Sequence, residues 1–440
     1  MSVEPSSVTI RMYNVGFGDC FLVTFHYREK DRHVLIDYGS TAPPKSARGK
    51  YMTAIAEDIR RHCKGKLDIL VATHRHRDHI SGFATDGEGT GELIAALKPD
   101  VVIQPWTEDP AAKKNALAAA VSSYRKGKPD EETVRAQFLG SLEDMHQVAG
   151  IAARRAATDP HWARSEAGRQ LAFLGEDNLK NASAVRNLME LGKRGQAFYV
   201  NAGMTLNRLL PGVKILVLGP PTLQQSEAIR RERAKDPGEF WQFRSFWATH
   251  RMAAANVLRA APRTLLPDAR PLRPNAWPPN ARWFIEQARR VQTDQMLELI
   301  RDLDTVMNNT SVILLFEAGN RKLLFPGDAQ IENWSFALSN ERWRALLRDV
   351  NLYKVGHHGS LNATPKSLWR LFRHKGGEGA PGRLETLCST KSGKHGSAAS
   401  GTEVPRRVLV EELNKSSDFH STESYKAGDN LCRTYTIEIH

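Results

Sequence analysis

The chain has 440 residues, enough for one large domain or as many as three, and its 41% hydrophobic and 25% charged residues exclude wholesale disorder. The formal net charge of +13 favours a polyanionic partner such as nucleic acid, although a generally basic proteome would explain it equally well. The sequence contains no apolar run of about 18 residues and no signal peptide, so we expect a cytoplasmic protein without a membrane association.

The N-terminal region predicts a strand meander followed by a helix and a buried strand. Alternating and β-branched residues over 8–39 are interrupted by Gly-Phe-Gly and by a charged turn. Residues 51–66 have the pattern of an amphipathic helix, and the apolar run 67–72 predicts a strand. Asp19 and Asp37 either cap turns in this region or help to shape a metal pocket.

Four candidate metal ligands follow that strand directly, in the stretch THRHRDHISG: His74, His76, Asp78 and His79. Imidazole nitrogens and carboxylates suit Zn²⁺ and related divalent ions. On an extended segment, His74 and His76 project the same way and can hold one ion, while Asp78 and His79 can reach a second. Two ions about 3.5–4 Å apart can clamp a phosphoryl or acyl group. The simple alternative is a histidine-rich surface loop.

The middle of the chain departs from this pattern of strands. Residues 111–195 are rich in Ala, Arg and Glu and predict a helical insertion, after which strands return over 196–221. Residues 222–306 are basic, aromatic and proline-rich. Within them, prolines exclude regular helix and central strand over 261–283, which we interpret as an extended lid, linker or partner-contact loop.

Most of the positive charge lies in the same central region. Residues 111–300 contain 29 Lys and Arg against 18 Asp and Glu, which accounts for +11 of the +13. Arg230, Arg231 and Arg244 stand among tryptophans there, and arginine with aromatic side chains can hold phosphates and stack bases. The alternative is a helical cap whose aromatic side chains pack on the core.

Further candidate ligands occur late in the chain. Residues 308–329 predict a β-hairpin whose second strand ends on Gly327 and Asp328, and the stretch 352–360, LYKVGHHGS, predicts a strand followed by paired histidines. Asp328 is either a metal ligand or the cap of the following helix.

Together, HxHxDHxxG at 74–82, GD at 327–328 and KVGHHGS at 354–360 resemble the metallo-β-lactamase superfamily and, within it, ComEC-type competence metallohydrolase domains. The resemblance covers about 1–105, 196–221 and 308–440. It implies an α/β fold, namely a four-layer αββα sandwich, here with a large, mostly helical central insertion. We expect no membrane channel like that of competence proteins, so we do not extend the resemblance to DNA uptake.

The expected organisation has five segments. They are residues 1–110 as the N-terminal half of the metallo-β-lactamase domain, 111–195 as the helical insertion, 196–221 as returning core strands, 222–306 as a second insertion or cap, and 307–440 as the C-terminal half.

The resemblance also implies two divalent metal ions, with Zn²⁺ the first choice and Mn²⁺ or Mg²⁺ the alternatives. In the family the Asp of GD bridges two metals, and Asp328 matches it; one of the paired histidines completes the second ion's ligands. We assign His357 to that role, with His358 as the alternative ligand or a proton donor, and Asp78 also as a group that handles protons. The full set of expected metal ligands is His74, His76, Asp78, His79, Asp328 and His357.

Substrate contacts are expected from Ser360, Asn362, His395, Arg230, Arg231 and Arg244. His395 could equally be an exposed loop histidine. The sequence contains no evident third histidine ligand for the first ion between residues 83 and 210.

These expectations predict a hydrolase that cleaves phosphodiesters of nucleic acid through a metal-bound hydroxide. Two alternatives remain open at this stage. One is a hydrolase of a small molecule such as a lactone, thioester, β-lactam or cyclic nucleotide. The other is a non-catalytic component that binds a protein partner through the insertion or the proline-rich loop.

Overall fold

The computed structural model describes residues 4–109, 182–222, 225–226, 308–360, 364–394, 403–425 and 431–440. All of them belong to one of two units, which comprises Met1–Ala111, Lys180–Ile229 and Met307–His440. The other unit comprises Ala112–Leu179 and Arg230–Val306. Residues 111–181 of the expected helical insertion and most of the expected segment 222–306 lie outside the described residues, whereas 182–195 belong to the first unit.

The described residues form an α/β fold with two mixed sheets, as expected at that level. The strands are β1 Ser7–Tyr13, β2 Cys20–His26, β3 Arg32–Tyr38, β4 Ile69–Val71, β5 Val101–Pro105, β6 Gln196–Val200, β7 Val213–Gly219, β8 Ile313–Ala318, β9 Arg321–Phe325, β10 Leu352–Lys354, β11 Glu385–Cys388, β12 Asp418–Ser421 and β13 Cys432–Glu438. The helices are α1 Tyr51–His62, α2 Arg77–Ile80, α3 Thr90–Ala95, α4 Ala182–Arg194, α5 Ile331–Ser339, α6 Glu341–Arg348, α7 Lys366–Leu371 and α8 Arg407–Ser416.

The two sheets repeat one topology. The first has the strand order β13-β1-β2-β3-β4-β5-β6, and the second has the order β12-β11-β10-β9-β8-β7. Strands β1, β2 and β3 pair antiparallel in chain order, and β4, β5 and β6 then continue parallel to β3. In the second sheet, β7, β8 and β9 are antiparallel in the same way, and β10, β11 and β12 continue parallel to β9. Thus β3, β4 and β5 correspond to β9, β10 and β11, and β13 is added beside β1.

Alternation along the strands divides the apolar residues between two faces of each sheet. In β3, Val34 and Ile36 join a buried cluster that contains side chains of both sheets, whereas Leu35 joins a cluster with helices α1, α3 and α4. In the second sheet, Leu314 belongs to the shared cluster and Leu315 to a third cluster with α5, α6, α7 and α8. One core therefore includes both sheets, and each sheet carries helices on its other face.

Element boundaries differ slightly from those expected. Helix α1 ends at His62 instead of near residue 66, because Lys64 and Gly65 take left-handed backbone angles with φ of 49° and 78°. The Gly65 N–H then closes the helix end on the Arg60 carbonyl, a common way to stop a helix. Among the described helices, none combines the length and the hydropathy that crossing a bilayer requires.

We expect Phe316→Ala to reduce the free energy of unfolding by about 3–5 kcal/mol, because it leaves a cavity in the core that both sheets share. The Phe316 ring is fully buried, with its centroid 6.0 Å from that of Phe25 in the first sheet. Urea unfolding measures the change. The control is Val408→Ala on helix α8, where the side chain is 69% exposed and a change within about 0.5 kcal/mol is expected. Equal effects of the two substitutions would contradict a shared core.

Candidate metal centre

The candidate ligands lie at the carboxyl ends of parallel strands from both sheets. Asp37 is at the end of β3, the motif 74–79 follows β4, Asp328 follows β9, and His357 and His358 follow β10. In open α/β sheets this is the edge where sites are formed, because the strand ends leave a crevice between diverging loops. Here the crevice brings together residues from the two topological repeats.

Four side chains there could hold a metal ion. Ligand atoms of Asp78, His79, Asp328 and His358 all lie within 4.8 Å of one another. Asp328 Oδ2 is 3.1 Å from His79 Nε2 and 3.5 Å from His358 Nε2. Asp78 Oδ2 is 3.0 Å from His358 Nε2. Two imidazoles and two carboxylates are a donor set that suits Zn²⁺ or Mn²⁺, so the residues fit such an ion.

The buried ring of His358 is held in one orientation. Its Nδ1 lies 2.9 Å from the carbonyl oxygen of Ser389, an atom that can only accept, so Nδ1 carries a proton and donates it. The Phe17 ring packs against the imidazole at a centroid distance of 4.4 Å. The Nε2 atom is therefore the one that faces Asp78 and Asp328, as a histidine ligand requires.

His79 is oriented in the same way by a carboxylate. Its Nδ1 donates to Asp37 Oδ2 at 2.8 Å, which turns Nε2 towards Asp328. Asp37 also accepts from the backbone N–H and the hydroxyl of Thr73, at 2.8 and 2.7 Å. A carboxylate that fixes a histidine ring and is itself hydrogen-bonded is the usual support of a metal ligand. Of the two roles that the sequence left open for Asp37, this contact favours the metal pocket.

The rings of His74 and His76 approach each other beside this group. His74 Nε2 and His76 Nδ1 are 3.0 Å apart, and His74 Nδ1 lies 3.2 Å from the Thr73 hydroxyl. Because that hydroxyl gives its proton to Asp37, it accepts from His74 Nδ1, and His74 Nε2 has a lone pair. Among the described residues, no Asp, Glu, Cys or third His completes a group with this pair.

The backbone around these residues is tightly constrained. Asp37, His357 and His358 have positive φ values of 55°, 41° and 53°, a region that side chains other than glycine rarely adopt. A Cβ atom on Gly39 would lie 2.5 Å from the backbone of Asp78 and His79. Strained angles and close backbone approach of this kind concentrate at functional sites, where the surrounding structure maintains them.

A salt bridge fixes the start of the motif. The guanidinium of Arg75 is bidentate on Glu108, with Nε–Oε1 and Nη2–Oε2 distances of 2.8 and 2.5 Å. The Glu108 side chain is 6% exposed, so the pair is largely shielded from solvent. It ties the segment between His74 and His76 to the turn after β5.

Charges within the centre shift the pKa values of its imidazoles and carboxylates. Burial would lower the pKa of His79, but Asp328 and Asp37 outweigh it and raise that pKa well above the ordinary value. The same balance, with burial opposed by Asp328 and Asp19, raises the pKa of His358. Burial raises the pKa of Asp328, but His79 and His358 outweigh it and lower that pKa well below its usual range. A cation would therefore replace protons that these imidazoles share with the carboxylates.

The remaining expected residues are placed as follows. His357 is 25% exposed in its side chain, and its Nε2 is 3.9 Å from Asp328 Oδ2, so it lies at the solvent side of the group and outside the set of four. The Ser360 hydroxyl is buried and forms no hydrogen bond with the rest of the described chain. Asp328 is not the cap of helix α5, whose N-cap residue is Gln330. Asn362, His395, Arg230, Arg231 and Arg244 lie outside the described residues.

Three contributors to the centre were not identified from the sequence. Thr73 links Asp37 to His74, and Ser389 orients His358 through a backbone oxygen, for which the residue type gives no signal. Lys354 is 2% exposed and contacts both Asp19 and Asp328. The sequence does indicate Lys354, because a lysine stands inside an otherwise apolar strand, LYKV.

No family model matches the sequence, and no curated protein matches it significantly.

We expect Asp37→Asn to weaken the binding of Zn²⁺ about 10–100-fold, the usual effect of losing the partner that orients a histidine ligand. Asparagine has nearly the same shape and tolerates the positive φ of 55°, so the fold should persist. Competition with a chelating dye measures the affinity. Asp31→Asn is the matched control, because Asp31 pairs with His26 away from the centre. Unchanged affinity in Asp37→Asn would argue against the support role.

We expect the binding of one Zn²⁺ near pH 7 to release between about one and two protons per ion. The raised pKa values of His79 and His358 favour the protonated imidazoles, and a protonated imidazole must lose a proton to coordinate the ion. Affinity should consequently fall as the pH decreases. Calorimetry in buffers of different ionisation enthalpy gives the number of protons. Binding without proton release would contradict this account of the centre.

Proposed function

We propose that this protein is a metal-dependent hydrolase of the metallo-β-lactamase fold. The observation that carries the proposal is the convergence of Asp78, His79, Asp328 and His358, whose ligand atoms lie within 4.8 Å of one another. Asp78 and His358 are 280 residues apart in the chain and still only 3.0 Å apart in space. Convergence of this kind, with buried rings oriented by hydrogen bonds, is typical of metal sites and costly without a function.

The four-layer αββα sandwich is part of the proposal. Its support is the distribution of apolar residues, with one cluster common to both sheets and one cluster of helices on the outer face of each. The motif resemblance adds the position of the site at the strand ends. The large central insertion of residues 111–195 and the segment 222–306 remain predictions from the sequence.

The geometry favours a reversal of the two roles proposed for the paired histidines. His358 is fully buried, oriented by Ser389 and close to both carboxylates, so we assign it as a ligand together with Asp78, His79 and Asp328. His357 is partly exposed beside Asp328 and is placed to exchange a proton with a substrate. The pair His74 and His76 is assigned to a second ion.

A divalent ion held by Asp78, His79, Asp328 and His358 would lower the pKa of water towards about 7 and would neutralise charge at a phosphoryl or acyl group. The chain supplies the remainder of the mechanism. Asp37 and Ser389 keep the two histidine rings aimed at the centre, and the close approach of Gly39 to the 78–79 backbone sets the loop. His357 provides the solvent-accessible imidazole for proton transfer.

The proposed substrate is a phosphodiester of nucleic acid. Its support is the net charge of +13, of which +11 belongs to residues 111–300. Lysine and arginine that neutralise phosphates would make binding strongly dependent on salt, because each contact releases counterions. A small ester or lactone uses the same centre, so substrate class must be tested directly.

We expect the protein to cleave single- or double-stranded DNA or RNA in the presence of Mn²⁺, Mg²⁺ or Zn²⁺, and His358→Ala to reduce the rate at least about 100-fold through loss of a ligand. His420→Ala is the matched control, because this partly buried histidine pairs with Glu385 and takes no part in the centre. Gel-based cleavage assays and a panel of small phosphodiesters, lactones and thioesters provide the readout.

Equal cleavage by His358→Ala and the parent would reject the metal centre as the source of activity. Cleavage of small esters alone would keep the hydrolase and reject nucleic acid as its substrate. No turnover of any substrate by a protein that binds metal would favour the non-catalytic alternative.

A further inference from the structure

A lysine is buried inside the acidic region behind the candidate ligands. Lys354 is the last residue of strand β10 and is 2% exposed. Burying an ammonium group costs several kcal/mol unless charges and hydrogen-bond acceptors compensate for it. We therefore expect charges and hydrogen-bond acceptors to compensate for the buried ammonium of Lys354.

Three oxygen atoms surround this ammonium. Lys354 Nζ forms a close ion pair with Asp19 Oδ2, lies 3.5 Å from Asp328 Oδ1, and donates to the Gly327 carbonyl at 3.1 Å. An ammonium has three donors and no acceptor, and here it has one hydrogen bond and two ion pairs. Lys354 thereby connects the Asp that could bridge metals to a second acidic residue behind it.

That second residue belongs to another group with metal-binding geometry. Ligand atoms of Asp19, Asp37 and His79 also lie within 4.8 Å of one another. Asp37 and His79 are engaged by hydrogen bonds, whereas Asp19 Oδ1 forms no hydrogen bond with the rest of the described chain. His79 Nδ1 is a donor to Asp37, which also accepts twice from Thr73. Asp19 has its positive partner in Lys354.

We propose that Lys354 is a built-in cation that takes the place of a metal ion in the group of Asp19, Asp37 and His79. It neutralises Asp19 and holds one oxygen of Asp328, while the other oxygen faces His79 and His358. Divalent ions consequently bind only on the histidine side of Asp328. This restriction of divalent ions to the histidine side rests on the proposed metal centre, whereas the neutralisation of Asp19 by Lys354 does not.

The electrostatics agree with this role. Burial acts to lower the pKa of Lys354, and attraction by Asp19 and Asp328 outweighs it, so the pKa is raised and the ammonium stays charged. Burial raises the pKa of the Asp19 carboxyl, and Lys354 is the strongest influence in the opposite direction. Burial prevails at Asp19, whose pKa is raised overall, so the close ion pair with Lys354 is the contact that carries its compensation.

A built-in cation and a merely structural lysine predict opposite results for metal binding. Removing a positive charge from a low-dielectric, acidic region leaves an uncompensated carboxylate that attracts another cation. If Lys354 only supported the fold, its loss would disturb the ligands and reduce metal binding. A gain in the number of bound ions therefore identifies the first role.

The first test uses the parent protein. Crystals soaked in Mn²⁺ and measured at an anomalous wavelength should show no peak within about 2.5 Å of an Asp19 oxygen, the range of metal–oxygen bonds. A Mn²⁺ ion bound by Asp19 and Asp37 would overturn the proposal directly. Because this test needs no substitution, it remains decisive even when a variant fails to fold.

The second test counts ions in variants by equilibrium dialysis against Mn²⁺. Lys354→Met keeps the length of the side chain and removes its charge, and it should bind one more ion per chain than the parent. The double variant Asp19→Asn with Lys354→Met removes both charges and should return to the parent number. Lys214→Met, on an exposed lysine paired with Glu317, is the matched control and should leave the number unchanged.

An unchanged or smaller number of ions in Lys354→Met would overturn the proposal, and so would an extra ion that persists in the double variant. The proposed hydrolase can fail independently of these results. A parent that binds ions at the histidines but cleaves no substrate would lose the proposed function, while the gain in Lys354→Met would still identify Lys354 as the replacement for an ion.

Discussion

The concentration of buried negative charge at the strand ends is the constraint on which the site depends. Asp19, Asp37 and Asp328 are each 1% exposed, and Asp78 stands beside them. Carboxylates so far removed from water repel one another and cost several kcal/mol each unless cations or hydrogen bonds compensate. Three kinds of group compensate for these carboxylates here. They are the ammonium of Lys354, the imidazoles of His79 and His358, whose pKa values are raised, and the N–H and O–H donors of Thr73. The protonated imidazoles can exchange their protons for a metal ion, whereas the lysine cannot.

The repeated topology explains how distant segments reach one point. In both sheets, an antiparallel meander leads into parallel strands, and the loops after the third and fourth strands of each repeat point to the shared edge. Asp37 at the end of β3 thus corresponds to Asp328 after β9, and the motif after β4 corresponds to the paired histidines after β10. Packing of the sheets on a common core sets the distance between the two contributions. The site is therefore a consequence of the sheet arrangement more than of any single loop.

The sequence predicted the parts of this arrangement that depend on local pattern. Strands such as β2 and β8 have continuous apolar runs between clear turns, and the histidine motif has a spacing with a chemical reason. The sequence could not show which residue forms a hydrogen bond with each histidine ring. Whether His357 or His358 turns inward depends on two consecutive left-handed residues and on the Ser389 carbonyl, a backbone atom present at every position. Asp37 was recognised only as one of two alternatives, because the hydrogen bonds that give it a role come from residues 36 and 42 positions away.

The two repeats, β1–β6 and β7–β12, have the same strand topology but different residues at one corresponding position. The last residue of the three-residue strand β4 is Val71, which packs in the core between the sheets, whereas the last residue of β10 is Lys354. A charge at that position makes the two sides of Asp328 unequal, since one oxygen faces an ammonium and the other faces imidazoles. An ammonium remains protonated over the whole physiological range, while an imidazole can exchange a proton for a metal ion. The two sides of Asp328 therefore differ in charge, since a permanent cation faces one oxygen and exchangeable protons face the other, and we propose that a metal ion binds on the second side.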